Sequence, residues 1–475
     1  MSEILKPDLC VIGAGSGGLS VAAIAAAFGV PVVLIEKGKM GGDCLNYGCV
    51  PSKALLAAGK HAEAIRSAPK FGVLAGEPDV NFRRVHDHVH QVIAEIEPND
   101  SVERFTALGV HVIQGHARFA DKKTVEVDGQ KIQARRTVIA TGSSAATPPI
   151  PGLDETPYLT NETLFENTRK PNHLIIIGAG PIGLEMAQAH RRLGAQVTVV
   201  DAAKAMAKDD PELTAVVLDH LRKEGIRILE NTPIRSVAPR GKTGVKVSIG
   251  EGEAAEDLSG SHLLVAAGRK PNIDGLDLEK AGIQSTARGI HVDQGLRTTN
   301  RKVYAIGDVA GGLQFTHVAN YHAGLVIQNA LFRVKAKVNN DLVPWVTYTD
   351  PELAHVGLTE ATARERNIDF RVLRWPLAEN DRAQAERKTS GFVKAITDKK
   401  GRILGASIVG TQAGELIQTW ALAVSQKLTV AALRNTIAPY PTLHEVSKRA
   451  AVTFYGDVPR KPFVRRLLAF LRRFG

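Results

Sequence analysis

The stretch GGDCLNYGCVPSK, Gly41 to Lys53, governs how the rest of the chain is read. It holds two of the three cysteines in 475 residues, five positions apart, framed by glycines and followed by an apolar, Ala-rich run that suits a helix. In an undistorted helix, residues i and i+5 have Cα atoms roughly 8–9 Å apart, beyond the ~7 Å limit for a disulfide. Asn46-Tyr47-Gly48 therefore has to bulge if Cys44 and Cys49 are to meet. A helix N-terminus favours thiolate over thiol, so the pair reads as reactive and redox-active. The other readings are two unbonded packing cysteines or half a zinc site. Zinc wants four ligands, and Cys10 lies within an apolar strand pattern that makes it a poor third.

Upstream, residues 8–36 read DLCVIGAGSGGLSVAAIAAAFGVPVVLIE, a strand, tight turn, helix and second strand. Gly13, Gly15 and Gly18 form G-x-G-x-x-G between the apolar run and the helix. The first two allow the turn and close approach of a pyrophosphate, and the third lets helix pack on strand. Glu36 ends the second strand, where a carboxylate can accept from ribose hydroxyls.

Downstream the fingerprint recurs in HLIIIGAGPIGLEMAQAHRRLGAQVTVVD, residues 173–201, with Gly178, Gly180, Gly183 and the strand-ending Asp201. Two fingerprints imply two dinucleotides, which suits a flavin and a nicotinamide exchanging electrons. Asp201 accepts from a free 2′-hydroxyl and repels a 2′-phosphate. Ala202, Ala203 and Lys204 supply no arginine, so NADH is expected over NADPH.

Between the fingerprints a helical region extends to roughly residue 108, followed by strand-like alternation ending in RRTVIATGSS at Thr141 and Gly142. His86 and His90 stand at i, i+4 within it, with His88 between them. The spacing suits a metal, but a solvated mixed-charge helix is the expectation, and no metal is assigned. The second nucleotide region closes in HLLVAAGRKPN, with Gly268 and Arg269 counted as cofactor-facing. VYAIGDVAGG then sets Asp308 at another strand end. From about residue 345 the pattern becomes strand-rich with amphipathic helices and no nucleotide motif, as expected of an interface domain.

Composition bounds the answer. With 44% apolar residues and no run of eighteen, nothing is expected to span a membrane. The chain enters a strand almost at once without a secretory pattern, which predicts cytoplasmic residence and a cycled disulfide. Of the formal net charge of +11, six charges fall in residues 460–473, where no acid occurs. With aromatics at 5% and no nucleic-acid module, nucleic-acid binding is excluded. In PFVRRLLAFLRRFG, Phe463, Leu467, Phe470, Leu471 and Phe474 share one helical face and Arg465, Arg466, Arg472 and Arg473 the other. Residues 460–475 could thus contact an anionic membrane or pack on the protein's own surface.

Together and in this order, the motifs resemble the flavin-dependent pyridine nucleotide disulfide oxidoreductases, which include dihydrolipoamide dehydrogenase, glutathione reductase and mercuric reductase. The resemblance runs to about residue 455. It implies an α/β fold with two Rossmann-like domains, for FAD and NAD, and a C-terminal α+β dimerisation domain. The parts would be 1–147 and 273–344 for FAD, 148–272 for NAD(P)H, 345–456 for the interface and 457–475 for a basic tail. FAD would lie against Gly13, Gly15, Gly18 and Glu36, with Asp308 at the ribityl chain and the Cys44–Cys49 disulfide on one flavin face. NADH would take the other face, and Lys53 and Glu185 match the family's pair near flavin N5. The same resemblance makes Cys49 the thiolate beside the flavin, Cys44 the exchange thiol, and the molecule a homodimer whose subunits share catalytic residues.

One segment departs from the disulfide reductases, whose interface domain supplies a histidine with a glutamate five residues on. In IAPYPTLHEVSKRAA, Glu445 is present but Tyr440 occupies the histidine position. Tyrosine, with a pKa near ~10, is a poor base at neutral pH. His444 adjoins Glu445 and is expected to be a surface helical residue. Mercuric reductases also carry tyrosine there, but use a C-terminal cysteine pair, and no cysteine follows Cys49 here. Tyr47 is a further departure, in a loop that usually carries a small aliphatic. The acceptor is therefore expected to be a metal ion, a quinone-like compound or an unidentified disulfide. The alternatives are a dihydrolipoamide dehydrogenase subunit of an oxo-acid dehydrogenase complex and a membrane-surface redox-sensing flavoprotein.

Overall fold

The computed structural model describes residues 3–241 and 244–474, and the chain divides into two compact units. The larger comprises Met1–Lys204 and Gly225–Val338. Its first sheet is wholly parallel, in the order Val303–Ala305, Arg136–Ile139, Leu9–Ile12, Val32–Glu36 and Val110–Gln114. Both faces are buried, as near-continuous apolar strands require. Leu9 and Val11 enter one core with helix α1 (Ser16–Ala27), while Cys10 and Ile12 enter a second core on the opposite face.

Four helices follow Glu36: α2 (Gly42–Asn46), α3 (Cys49–Ser67), α4 (Phe82–Ile96) and α5 (Val102–Ala107). The expected helical region is thus broken, with residues 72–81 outside any helix. Helix α6 (Asn161–Leu164) precedes a second parallel sheet, ordered Arg227–Leu229, Gln196–Val200, His173–Ile177 and His262–Val265. Helix α7 (Pro181–Arg192) follows the second glycine turn, as α1 follows the first. A three-stranded antiparallel sheet contributes Val237, Val245 and Val247 to the core under Ile175 and Ile177.

The smaller unit comprises Ala205–Glu224 and Asn339–Gly475. Its five-stranded antiparallel sheet, ordered Trp345–Thr347, Glu352–Gly357, Ile403–Gly410, Phe392–Thr397 and Arg371–Pro376, packs on a core that includes fully buried Trp420. The Trp420 indole N–H donates to Ser447 Oγ at 3.0 Å, so the ring is buried without an orphan donor. Sequence places Ala205–Glu224 inside a continuous nucleotide domain, whereas here the segment clusters with this sheet. The cause is charge: buried Lys394 lies 2.7 Å from Asp210, 2.9 Å from Glu360 and 3.2 Å from Glu212. The Trp345 indole N–H also donates to Asp209 at 2.8 Å.

Candidate active site

The bulge required between the cysteines is a break between two helices. Helix α2 stops at Asn46, and Gly48 caps α3, whose first residue is Cys49. Gly41 (φ 82°) and Gly42 (φ 59°) turn the chain into α2 in the left-handed region that glycine tolerates. A Cβ on Gly48 would stand 2.8 Å from Asp43 Oδ2, so the return of the chain over Asp43 needs a bare residue.

Cys44 and Cys49 are free thiols in mutual hydrogen-bonding contact. Cys44 keeps its proton and donates to Cys49, which raises the Cys44 pKa, further raised by burial. Cys49 is lowered chiefly by that bond, then by the Thr316 hydroxyl, 3.2 Å from its sulfur, and by the Lys53 charge. These contacts favour ionisation at Cys49 over Cys44. Cys10, fully buried, has its thiol pushed up to about 12 by desolvation and is inert.

Lys53, one turn into α3, donates to Glu185 Oε2 on α7 at 2.8 Å. The two helices approach closely because Gly59 faces Ala189: a Cβ on Gly59 would sit 3.3 Å from the Ala189 Cα. Arg66 fastens the far end of α3 by donating to the Arg192 carbonyl at 2.8 Å.

Arg269 draws together groups distant in sequence. Its guanidinium lies 3.1 Å from Asp43 and 3.7 Å from Asp308, and donates to the Ser143 hydroxyl at 2.7 Å and its carbonyl at 2.8 Å. Ser143 Oγ in turn donates a hydrogen bond to Asp308 Oδ2 at 2.5 Å. Burial raises the Asp308 pKa, opposed by Ser143 and Arg269. Asn161 Nδ2 donates to the same Asp43 carboxylate oxygen at 2.9 Å and to the Tyr47 carbonyl at 3.2 Å. Thr141 and Gly142 meet Asn272 where the short strands Ser143–Ala145 and Arg269–Pro271 pair antiparallel: the Thr141 hydroxyl donates to the Asn272 carbonyl at 2.7 Å and the Asn272 N–H to the Gly142 carbonyl at 3.0 Å, while at the other end the Gly268 carbonyl accepts from the Ala146 N–H at 3.0 Å.

The two glycine turns repeat one another bond for bond. Glu36 accepts from the backbone N–H of Ala14 at 2.6 Å and of Gly38 at 2.7 Å. Asp201 accepts from Ala179 at 2.7 Å and Ala203 at 2.8 Å, the same offsets. Gly13 and Gly178 leave no room for a side chain, since a Cβ would come within 2.5 Å of Ala140 O and 2.4 Å of Ala266 O respectively. Gly18 and Gly183 are equally tight against the carbonyls of Gly13 and Gly178. Helices α1 and α7 begin at Gly15 and Gly180 with no side-chain cap and no acid in the first turn. Their N-terminal N–H donors suit a dinucleotide's pyrophosphate, so the donor set fits FAD at the first turn and a nicotinamide dinucleotide at the second.

Residues 7–323 match the pyridine nucleotide-disulphide oxidoreductase family, and residues 343–451 match its dimerisation domain. The chain belongs to that family. It is an FAD- and NAD(P)H-dependent oxidoreductase of this class, with the family's dimerisation domain. It is 38% identical to the mercuric reductase of Bacillus cereus over 95% of this chain and 72% of that one. To the dihydrolipoyl dehydrogenase of Geobacillus stearothermophilus it is 33% identical, over 95% and 97%. Among solved structures it resembles LpdA of Mycobacterium tuberculosis (TM-score 0.86, 28% identity, 95% and 99% covered). It also resembles the Cu(II) complex of the HOCl-induced flavoprotein disulfide reductase RclA of Escherichia coli (TM-score 0.84, 29% identity, 95% and 100% covered).

In this oxidoreductase Tyr440 is 71% exposed, and its hydroxyl donates to Asp381 at 2.8 Å. That bond raises the Tyr440 pKa, taking it further from a neutral-pH base. His444 caps the helix Glu445–Val452, of which Glu445 is the first residue, and both are half-buried. His444 is therefore less exposed than the expected surface residue. Tyr47 carries Lys39 5.6 Å over its ring. Sequence reading did not single out Asp43, Ser143, Asn161 or Thr316. Asp43 and Ser143 had a local signal, since the first lies inside the redox stretch and the second directly follows Thr141 and Gly142.

Proposed function

We propose that the enzyme passes electrons from NADH through FAD to the Cys44–Cys49 pair, and from there to a soft metal ion such as mercuric ion. The observation that carries this reading is the Tyr440–Asp381 hydrogen bond. A disulfide acceptor takes up two protons with its two electrons and needs an acid nearby, whereas a divalent mercuric ion reduced to the element takes electrons alone. A tyrosine whose pKa is raised and whose proton is held by a carboxylate suits the second case. Two cysteine sulfurs are the ligands that soft ions prefer. The mercuric reductases among the relatives support the same choice.

When bound, FAD and NADH supply the hydride and two-electron chemistry. Gly13, Gly15, Gly18 and Glu36 hold FAD, with Asp308 and the Thr141-Gly142 turn. Gly178, Gly180, Gly183 and Asp201 hold NADH, with Gly268 alongside. Lys53 and Glu185 place a cation beside Cys49 and keep it ionised. Cys44 retains its proton until exchange and presents its sulfur to the acceptor. Arg269 fixes Asp43, and so the loop carrying both sulfurs. The active form is a cytoplasmic homodimer in which the interface unit, with Tyr440, His444 and Glu445, completes the partner's site.

The test is NADH oxidation with mercuric ion under excess thiol, beside the same assay with lipoamide, for wild type and Tyr440→His. Metal-dependent oxidation that outpaces lipoamide is expected, with lipoamide turnover rising in the histidine variant. Fast wild-type lipoamide turnover would instead make this a dihydrolipoamide dehydrogenase.

A peripheral membrane contact through residues 460–474 belongs to the same proposal. On the helix Pro462–Leu471 no residue is buried, and Phe463, Leu467, Leu468, Phe470 and Leu471 are 44–74% exposed, as is Phe474 beyond it. Six basic residues flank that apolar face, so the occupant that matches it is an anionic bilayer, each arginine adding on the order of 1 kcal/mol. Among the described residues no helix is long and apolar enough to cross a membrane. Co-sedimentation with phosphatidylserine vesicles should be lost in an Arg465→Glu, Arg466→Glu, Arg472→Glu, Arg473→Glu variant. Equal pelleting of both proteins would remove the proposal.

A further inference from the structure

The histidine pair that the sequence leaves to solvent acquires a third donor in the fold. His86 and His90 lie one turn apart on α4, their rings 4.2 Å between centroids and tilted by 41°. Glu166, two residues past the end of α6, brings its carboxylate to 3.8 Å from His90 Nε2. One donor atom from each of the three lies within 4.8 Å of the other two. The Phe165 carbonyl accepts from the same His90 nitrogen at 3.2 Å, a proton that a bound ion would displace, and adds a fourth possible donor at the place. Asp87 engages His86 Nδ1 at 3.1 Å, the outer-sphere carboxylate that orients a ligating imidazole and leaves Nε2 for an ion.

We propose that His86, His90 and Glu166 form a binding site for a divalent transition ion of the zinc or copper type. Two imidazoles and a carboxylate are a donor set these ions accept, with bonds of about 2.0–2.2 Å. Donors at that radius sit roughly 3.4 Å apart around a tetrahedral centre, so the three side chains close by about an ångström on binding. All three are partly or fully exposed, which leaves an entry path and room for that rotation.

The location gives the site a consequence. Helix α6 begins at Asn161, whose side chain holds both Asp43 and the Tyr47 carbonyl of the redox loop. An ion joining His86 and His90 to Glu166 ties α4 to the other end of that short segment. Occupancy should therefore steady the loop that presents Cys44 and Cys49. The site is chemically distinct from the thiol pair, and its existence does not depend on the identity of the electron acceptor.

The experiment is zinc titration of the oxidised holoenzyme, in which the disulfide withholds the cysteines from the metal. It is followed by calorimetry and by amide exchange across residues 41–53. One ion per chain is expected, with affinity falling at least about tenfold in His90→Gln and in Glu166→Gln. His88→Gln, whose ring is exposed and outside the cluster, should titrate like wild type. Zinc should also slow exchange in the loop of wild type and of His88→Gln, but not of His90→Gln. Affinity indifferent to both His90 and Glu166, or no saturable binding, would overturn the site. Binding that depends on them but leaves the loop's exchange unchanged would overturn the coupling.

Discussion

Lys53 Nζ lies 2.8 Å from Glu185 Oε2, so a single ion pair joins the helix that starts at the redox-active Cys49 to the helix that starts at the second nucleotide turn. The glutamate is 6% exposed and the lysine 39%, which places the pair between a surface contact and a buried one. Lys53→Met leaves that carboxylate without the lysine cation and should cost roughly 1–3 kcal/mol, between the values for exposed and buried pairs. It also removes a charge that favours the Cys49 thiolate. Urea unfolding of the holoenzyme gives the first effect and thiol titration the second. A variant unchanged in both would mean that the pair is a contact without consequence.

The pH behaviour of the two thiols should differ. Cys49 is lowered to about 6, so in reduced enzyme its alkylation should rise as pH increases through that value, because the thiolate forms above the pKa. Cys44, raised by donating to Cys49 and by burial, should stay unreactive over the same range. Thr316→Val removes the one hydroxyl that donates to Cys49 beside the Cys44 thiol and should move the midpoint upward. Mass spectrometry of alkylated peptides assigns the rates. A Cys49 midpoint near the ordinary thiol value of about 8.5 would contradict this picture.

How much of this was legible depends on how far each interaction reaches. The glycine spacing and the strand-ending acids are local. Glu36 and Asp201 reach N–H groups 22 residues upstream and two residues downstream through one strand–turn–helix geometry, so the sequence pattern determines the site. The helix break at Tyr47-Gly48 is local too, since it follows from the reach of two cysteines. Thr316 is 267 residues from Cys49, and Asn161 is 118 from Asp43. A threonine opening one helix and an asparagine opening another carry no pattern of their own, and only the packing of the sheets selects them. The segment Ala205–Glu224 is illegible for a related reason. Its placement rests on Lys394, a lysine in a strand buried along nearly all its length, whose pairing with three acids cannot be read from its neighbours.

Asp201 sets the expected nucleotide preference. Its carboxylate already accepts two backbone hydrogen bonds, and a carboxylate has roughly four acceptor positions, so a ribose hydroxyl can be added. Asp201→Asn keeps one acceptor for the turn and loses the charge that repels a 2′-phosphate. NADH should be preferred over NADPH in wild type, and the ratio of kcat/KM values should narrow by about tenfold in the variant, the equivalent of about 1.4 kcal/mol. An unchanged ratio would move the preference elsewhere.

Gly48→Ala is the smallest change that should disable the site. Cys44 and Cys49 can meet only because the chain folds back between α2 and α3, and a methyl at residue 48 would stand 2.8 Å from Asp43 Oδ2 and 3.1 Å from the Asp43 carbonyl. The backbone carbonyl cannot swing aside as a long side chain does, so the loop itself must shift. Asp43 then loses its alignment with Arg269 at 3.1 Å and Asn161 at 2.9 Å, the two contacts that anchor the loop through one carboxylate oxygen. Overpacking of this kind costs roughly 1–3 kcal/mol, a loss a folded FAD enzyme survives. Turnover should suffer more than stability, because displacing reacting atoms by about 1 Å can cost on the order of 100-fold. The measurement pairs the thermal midpoint with NADH oxidation in the presence of acceptor. A variant that retains FAD and melts within a few degrees of wild type, yet turns over at the wild-type rate, would show that the loop's position is not fixed by Gly48.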